Sequence, residues 1–525
     1  MLAAAPTIER IALNRTTFGA RDIDVESVQR IGWTAWVKDQ LNPPAGDDPT
    51  LASYLSAQRM HIEYPAYDNS PYYSWPAVNE DRPLQYLAMS ATQIWVKSHK
   101  VYPANDHREL ARGFDELSAA LVIRNTHSRY QLREVMTDFW LNHFSISKAK
   151  DYHLQNMLIA FDRDVIRPNV FGNFRKMLEA VATSAAMLKY LDNADSQADQ
   201  PNENYARELM ELHTLGRGVY LGKLTGNTDL SAKGFTDDDI IQASRAFSGW
   251  TIAQNQYNLE SHRDTGEFVF NPAQHNDTAG RCLGFDLATL KGQGLAQGRK
   301  VLDLVAQHPA TANFVCTKLC RRLFGDAPPA AVIERAVTAW KMYADSPVQL
   351  KRVMYAILIG GPEIGQGPCE KVRRPHERIV ALARTIDGLV RADPLWSSLL
   401  RGASDAPFGW LTPDGRPDTN EFWLSAAMNI EIWSQLRYLG GNSNYLSADI
   451  VAQTPENALK SPTLFVEYWV GRMVGYTLSA GAMAALVSAT AKIMGDLVNN
   501  PSYRNNYFLG DIVAMIASTP EFVNR

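Results

Sequence analysis

Apolar residues recur at intervals of three and four along most of the chain, which is the period of an amphipathic α-helix. The clearest stripe lies in residues 131–144, and its members are Leu132, Val135, Met136, Phe139 and His143. A second helix is predicted from Asn202, which can cap free amides, to Gly216, which can end the helix.

Other helix starts are also marked in the sequence. Thr236 precedes three aspartates, and its hydroxyl can cap amides while the carboxylates face the positive end of the helix dipole. His308 and Pro309 predict another start, because proline favours the first helical turn. Further helices are predicted at 376–393, 420–438, 461–498 and 508–518. Strand signals are few, and residues 267–270 give the clearest alternation.

The predicted fold is mainly α, a large multi-helix globular assembly with few short strands and long ordered loops. Residues 64–76 hold three prolines and five aromatic residues, a composition that favours an ordered surface loop. Residues 1–400 are predicted to form a helical main body, with 401–525 as a C-terminal helical portion packed on it. A single domain is the alternative.

Composition limits the function classes. The chain has 525 residues, 46% of them hydrophobic and 21% charged, which is enough for a large core and argues against extensive disorder. Its 52 Lys and Arg against 56 Asp and Glu give a net charge of −4, so no nucleic-acid partner is predicted. Four scattered cysteines without a CxxC pair predict neither a disulfide framework nor a cysteine zinc cluster.

Two segments bear on localisation. Residues 473–491 are uncharged and nearly long enough to span a bilayer, but their Ser, Thr, Gly and Ala content favours a helix packed tightly in the core. No transmembrane insertion is therefore predicted. Residues 1–10 lack the features of a signal peptide, although an export signal removed from the chain would leave the same start.

The predicted helix after Asn202 carries the first candidate chemistry. At 100° per residue, Arg207, Glu208 and Glu211 fall on one arc with Asn204. Two carboxylates and an arginine so placed can ligate a hard cation, bind a cationic substrate or perform acid–base catalysis. The alternative is a solvated face with a weak i,i+4 ion pair. A metalloprotease is excluded because no HExxH motif occurs.

Two further candidates come from distant parts of the chain. Asp138 lies on the polar side of the 131–144 helix, and His143 is either a core histidine bonded to a backbone carbonyl or a cleft residue. His275 and Asp277 can chelate a metal, or Asp277 can orient the imidazole of a general base, and a local turn is the alternative.

These residues define the predicted site. The predicted catalytic residues are Glu208, Glu211, Asp138, His143 and Arg207. The predicted ligands of a divalent metal are Glu208, Glu211, His275 and Asp277. The hypothesis is that Asp138, Glu208, Glu211, His275 and Asp277 line one pocket, where oxygen ligands and imidazole would suit a divalent cation.

Substrate contacts are predicted from amides, arginine and aromatic residues. Arg245 and Trp250 can bind an anion or a sugar ring, although a tryptophan at a helix end is often a packing anchor. The aromatic residues of 64–76 can stack on carbohydrate, or they can pin the loop. The predicted contacts are Asn204, Arg245, Trp250, Tyr72 and Trp75. No dinucleotide, P-loop or GxSxG motif occurs in a matching context.

The string NENYARELMELHTLG at 202–216 resembles the signature of the bacterial family called domain of unknown function 1800. Other strings that agree in order are ALNRTTFG (12–19), FWLNHF (139–144), SRAFSGW (244–250), HPATA (308–312), KLCRR (318–322) and GRPD (415–418). The resemblance covers nearly the whole chain and implies no agreed activity. It implies a periplasmic or secreted protein, and a partner from the neighbouring family called domain of unknown function 1501, which resembles the phosphatase and sulfatase fold.

Two functional classes follow. The first is a cell-envelope enzyme, a hydrolase or transferase, with a carboxylate/His site on the central helices that can bind a metal. The second is a non-catalytic helical scaffold that binds a phosphatase-fold protein or surface polysaccharide.

Overall fold

The computed structural model describes residues 3, 5–101, 106–223, 231–254, 264–367, 370–402, 404–441, 443–499 and 506–525. Within these residues the chain forms 25 α-helices, which confirms the mainly α fold. The first twelve are α1 (Ile8–Thr16), α2 (Asp22–Ile31), α3 (Trp33–Gln40), α4 (Pro49–Ala57), α5 (Ala91–Val101), α6 (His107–His127), α7 (Gln131–His143), α8 (Tyr152–Ala160), α9 (Phe174–Ala182), α10 (Ala185–Tyr190), α11 (Glu203–Glu208) and α12 (Asp237–Phe247). The others are α13 (Ala296–Gln307), α14 (Pro309–Phe324), α15 (Ala330–Met342), α16 (Gln349–Ile359), α17 (Pro375–Thr385), α18 (Leu395–Gly402), α19 (Asn420–Trp423), α20 (Ala426–Gly440), α21 (Ile450–Gln453), α22 (Pro462–Met473), α23 (Ala480–Asn499), α24 (Asn506–Ile516) and α25 (Pro520–Val523).

The strands are short and pair two by two. They are β1 (Arg59–Tyr64), β2 (Tyr67–Asn69), β3 (Tyr73–Trp75), β4 (Val78–Pro83), β5 (Trp250–Ile252), β6 (Phe268–Phe270), β7 (Arg281–Cys282), β8 (Phe285–Asp286), β9 (Leu389–Val390) and β10 (Leu446–Ser447). The antiparallel pairs are β1 with β4, β2 with β3, β5 with β6, β7 with β8, and β9 with β10. They are small additions to a helical body.

The start signals in the sequence are confirmed. The Asn202 side chain accepts a hydrogen bond from the amide of Tyr205, and the Thr236 hydroxyl accepts one from Asp239 in a capping box. The ring of His308 caps α14 by accepting from the amide of Ala310. Each cap satisfies an amide that the first helical turn leaves free.

Three predictions about local structure are wrong. Most of residues 64–76 form the β2–β3 hairpin rather than a loop, and β1, which ends at Tyr64, alternates exposed and buried side chains. The predicted helix 461–498 is two helices, α22 and α23, because Gly475 adopts a positive φ of 87° between them. Much of the first half of α23 is exposed, so the 473–491 segment is not packed tightly in the core.

Among the described residues, no helix is long and apolar enough to cross a membrane.

The buried apolar residues form two large clusters. One surrounds α7, α8 and α14, and the other joins α4, β1 and α6 to α17, α20, α22 and α24. Every residue of α17 is buried, and its first turn carries charged side chains toward the neighbouring α7 and α14. The second cluster contains residues from both sides of position 400, and the division at that position stays a prediction.

Candidate functional site

A cavity of about 330 Å³ lies where α7, α14, the start of α17 and the loop 414–418 meet. Its polar walls are formed by Asp138, Asn142, His143, Lys318, Arg321, Arg322, Arg374, Asp414, Arg416 and Asp418. Phe139, Leu212, Phe314, Gly415 and Pro417 complete the lining. Residues from the strings FWLNHF, KLCRR and GRPD therefore meet at one place, although almost 280 positions separate the first string from the last.

Asp138 lies at the centre of the buried charges on one wall. Its carboxylate is 2.9 Å from Arg416 Nη2 and 3.4 Å from Arg322 Nη2, and it also forms a close ion pair with Arg374. Burial alone would raise the pKa of Asp138, but the charges of the three arginines outweigh burial and hold the pKa well below its usual range. Asp138 is therefore a permanent anion that holds three guanidinium groups together.

Two more buried carboxylates fix the same arginines from behind. Glu377 accepts from Arg322 at 2.5 Å, and Asp405 accepts from Arg416 at 2.7 Å. Breaking such a buried network leaves charges without compensation, so the guanidinium groups are held in defined positions. The protein's own ion pairs therefore hold this part of the cavity wall in place.

Lys318 and Arg321 differ from the other cations of the cavity. They lie one turn apart on α14, and neither makes an ion pair with any residue that the structure describes. The Lys318 ammonium group lies 5.3 Å from the centre of the Phe314 ring, and Arg321 Nε is buried without a hydrogen-bond partner. Burial lowers the pKa of Lys318 to about 8, although Asp418 pulls it in the opposite direction.

His143 contributes a neutral imidazole to the cavity. Its Nε2 lies 3.0 Å from the carbonyl oxygen of His213, which can only accept, so this nitrogen carries the proton. The other nitrogen, Nδ1, is therefore a lone-pair acceptor, and it is buried without a partner. Burial first, and the charge of Lys318 second, lower the pKa of His143 well below its ordinary value. The ring is thus a core histidine bonded to a carbonyl and also a cavity residue.

The signature segment 202–216 changes its helical type in the middle. After α11, residues Leu209–His213 form a π-helix, and the Thr214 hydroxyl donates to the Leu209 carbonyl across this wider turn at 2.6 Å. A π-turn rotates fewer degrees per residue than an α-turn, so the 100° projection fails after Glu208. Leu212 reaches the cavity, and His213 is buried against α7.

The two glutamates of this segment lie outside the cavity lining. Glu211 is 2.9 Å from Arg217 and 3.5 Å from Arg207, so its charge is neutralised locally. Glu208 is half-buried, its Oε2 has no hydrogen-bond partner, and burial followed by the charge of Glu211 raises its pKa. Their catalytic roles stay predictions, and the single pocket predicted for them with Asp138 is not the observed arrangement.

The predicted metal ligands are not brought together. His275 Nδ1 donates to the Ser248 carbonyl at 2.9 Å, and Asp277 accepts from the Gly292 amide at 2.8 Å, so both residues stabilise local loops. The His275 Nε2 to Asp277 Oδ1 distance is 3.8 Å. Across the described ranges, no group of three or more His, Cys, Asp or Glu side chains is arranged to hold a metal ion.

The predicted substrate contacts lie at separate places. Trp250 is 1% exposed and packs in the core between two phenylalanines, so it is not available to a ligand. Arg245 bonds a neighbouring glutamine on its own helix, and Asn204 is exposed on α11. Tyr72 is 76% exposed at the tip of the hairpin, and Trp75 belongs to a stack of rings on the same hairpin.

Sequence reasoning missed most of the cations of the cavity. Lys318, Arg321 and Arg416 lie in strings that carried the resemblance but received no chemical role. Arg374 precedes Pro375 at the start of α17, and a basic pair before a helix-starting proline was its only signal. Spacing along one helix cannot indicate such a site, because its members come from four elements.

Comparison with known proteins gives one match. The model of a family described as protein of unknown function, DUF1800, matches residues 11–524. No curated protein and no solved structure matches the chain. Because the match covers nearly the whole sequence, this chain belongs to the DUF1800 family of proteins of unknown function.

Proposed function

We propose that the protein is an enzyme that binds an anionic substrate in the cavity between α7, α14, α17 and the loop 414–418, and that it performs hydrolysis or group transfer there. The observation that carries this proposal is the charge pattern of the walls. Three arginines are fixed by buried carboxylates, while Lys318 and Arg321 face the same space without an ion pair to any described residue.

The charge pattern favours an anion over a cation. Five cationic side chains line the cavity against three aspartates, and Asp138 is already shared among three arginines. The guanidinium fork binds carboxylate, phosphate and sulfate groups in a defined orientation. The negative charge of such a ligand would form ion pairs with Lys318 and Arg321.

Two lining residues can move protons for such a substrate. The Nδ1 atom of His143 has an unshared electron pair, and the amine of Lys318 loses its proton more easily than an ordinary lysine. General bases are most effective when their pKa lies near the working pH. The arginines would then orient the substrate, and Lys318, whose pKa lies nearer to neutral pH than that of His143, would accept the proton that the reaction releases.

The proposal keeps the cell envelope as the place of action, and what supports that placement is the family resemblance. A phosphatase-fold protein of the domain of unknown function 1501 family stays a predicted partner on the same basis. A non-catalytic scaffold is the competing proposal, and it predicts that loss of the cavity cations changes no ligand binding.

Titration calorimetry with sulfate and phosphate tests the anion site. We expect Arg321→Ala to weaken binding about tenfold or more, since a hydrogen bond to a charged group contributes about 1.5–3 kcal/mol. The matched control is Arg352→Ala, which removes an exposed arginine from α16. Release of nitrophenol from phosphate, sulfate and glucuronide esters tests turnover, and identical binding by the two variants would contradict the proposal.

A second candidate function is glycan binding by the hairpin of β2 and β3. The rings of Tyr67 and Trp75 are 4.8 Å apart at an interplanar angle of 22°, and those of Tyr73 and Trp75 are 6.1 Å apart at 8°. Near-parallel exposed rings suit the apolar faces of sugars. We expect Tyr67→Ala to reduce co-sedimentation with insoluble polysaccharides, whereas Tyr152→Ala, on a more exposed tyrosine of α8, leaves it unchanged.

A further inference from the structure

Lys318 is the one lysine that the described residues contribute to the lining of the cavity, and it forms no ion pair with any of them. The two nearest carboxylates are engaged elsewhere. Asp418 accepts from the ammonium group of Lys371 at 2.6 Å. Asp414 accepts from the Thr412 hydroxyl and, at 3.3 Å, from the Trp410 indole.

Among the charged groups near Lys318, Arg321 disfavours its proton, whereas the charges of Asp418 and Asp414 favour it. Arg321 lies one turn further along α14, and Arg374 and Arg416 face the cavity from α17 and from the loop. His143 on α7 is neutral, because burial and the charge of Lys318 lower its pKa well below the ordinary value. Burial together with the charge of Arg321 outweighs the two aspartates and lowers the pKa of Lys318. A lysine that is desolvated beside another cation is a more effective nucleophile.

We propose that Lys318 is a nucleophilic amine that condenses with the carbonyl group of an anionic carbonyl compound, whose charged group binds Arg321. This inference rests on the proposed anion site and narrows its substrate class. Residues three apart on a helix have neighbouring side chains, so one small molecule can reach both groups. Phe314 supplies an apolar wall beside the amine.

The condensation is balanced without a further reagent. The nitrogen lone pair of the neutral amine forms a bond to the carbonyl carbon, and the carbonyl π electrons move to its oxygen. The nitrogen gives up its protons to that oxygen, which leaves as water, and a C=N bond remains. Cleavage or transfer of a neighbouring bond would follow from this imine, as the proposed transferase chemistry requires.

Reductive trapping in the full chain tests the inference. Pyridoxal 5′-phosphate, an anionic aldehyde, is added with sodium borohydride, and the modified lysines are identified by peptide mass spectrometry. We expect Lys318 to be modified at least tenfold faster than Lys300, which lies on α13 with its ammonium group 4.4 Å from the Phe285 ring and serves as the matched lysine. Sulfate should protect Lys318 and leave Lys300 unaffected.

Three further measurements separate the possible outcomes. The modification rate of Lys318 should rise between pH 6 and 8 and then level off, because its pKa is about 8. Arg321→Ala should lower that rate at least fivefold, while pyridoxal without phosphate should show little dependence on Arg321. Lys371, which is bound to Asp418, should remain unmodified.

The outcomes distinguish the two proposals. If sulfate binds the cavity but Lys318 is modified no faster than Lys300, the reactive amine is overturned and the anion site stands. If Lys318 is modified rapidly without protection by sulfate and without dependence on Arg321, the amine is reactive but the anionic substrate class is overturned. If neither binding nor modification occurs, both proposals fail.

Discussion

The signature segment 202–216 and helix α14 carry their charges in opposite ways. In the signature segment, the carboxylate of Glu211 is neutralised by Arg207 and Arg217, which are its neighbours in the sequence. On α14, Lys318 and Arg321 have no ion-pair partner among the described residues and face a cavity. Glu211 of the signature segment is therefore paired locally, whereas the two cations of α14 have no such partner among the described residues.

The contrast between these two regions shows which charged groups remain available to bind a ligand. A locally paired charge contributes little to stability and offers little to a ligand, whereas a desolvated cation without a partner costs free energy that a ligand can offset. Perturbed groups of this kind concentrate at functional sites. The following variants test whether the two regions differ as the contacts indicate.

The largest effect is expected for Asp138→Asn. The change leaves three buried guanidinium groups without their shared anion, and loss of one partner in a buried ion pair costs about 3–5 kcal/mol. Urea unfolding measures the free energy. Glu211→Gln, in the signature segment, is the matched control and should cost less than about 1 kcal/mol. Equal losses in both variants would remove the contrast between the regions.

The second prediction concerns His213, which joins the signature segment to α7 through its carbonyl. Burial lowers the pKa of His213 to about 3, so the unfolded chain binds a proton below pH 6.5 that the folded chain does not. The stability is thus present above pH 6.5 and is lost as the pH falls. One such group changes the free energy of unfolding by about 1.4 kcal/mol per pH unit, or about 2 kcal/mol from pH 6.5 to 5.

His213→Asn keeps the backbone carbonyl to which His143 donates a hydrogen bond. The free energy of unfolding falls at low pH because of these two histidines, and the variant should remove about half of that decrease. Denaturant titrations at pH 7, 6 and 5 measure the slope. His61→Asn is the control, because His61 is exposed and its pKa is raised by Asp81. An unchanged slope in His213→Asn would mean that His213 is protonated in the folded chain.

The sequence predicts those features of the molecule that depend on local chemistry. The caps at Asn202, Thr236 and His308 are confirmed because each needs only residues within one helical turn. Strand β1 was missed although Met60 and Ile62 alternate with exposed residues, since the surrounding prolines and aromatics indicated a loop.

The site could be predicted only in part, for a physical reason. Asp138 and His143 were identified because they stand out on one helix, and both line the cavity. Their partners Arg374 and Arg416 lie more than 230 positions away along the chain, and no helical period relates them. The spacing of apolar residues does not predict the π-helix of 209–213. The projection at 100° per residue therefore assigned wrong directions to Glu211 and His213.

The third prediction concerns how Lys318 affects the free energy of unfolding. Burial lowers the pKa of Lys318 to about 8, so keeping it protonated below that pH destabilises the folded chain. Between pH 8 and its unfolded value near 10.5, the unfolded chain binds more protons, and stability rises with pH. Lys318→Met should therefore stabilise the protein by about 1–3 kcal/mol at pH 7 and by less at pH 10.

Denaturant titration at the two pH values measures this gain, and Lys300→Met provides the same chemical change on α13, away from the cavity lining. A variant that gains stability while losing sulfate binding would identify Lys318 as a residue kept for function at a cost in folding. A loss of stability at pH 7 would instead show that the Lys318 ammonium group is well solvated or paired in solution.

The smallest effect is expected for Arg217→Ala, directly after the signature segment. Arg217 is mostly exposed and its pair with Glu211 is shared with Arg207, so its removal should cost less than about 0.5 kcal/mol and leave sulfate binding unchanged. The same two measurements on Arg321→Ala complete the comparison, since that change should weaken sulfate binding strongly. If Arg217→Ala instead reduced sulfate binding as much as Arg321→Ala, the anion would bind at the signature segment, and the available charge would lie with its arginines rather than with α14.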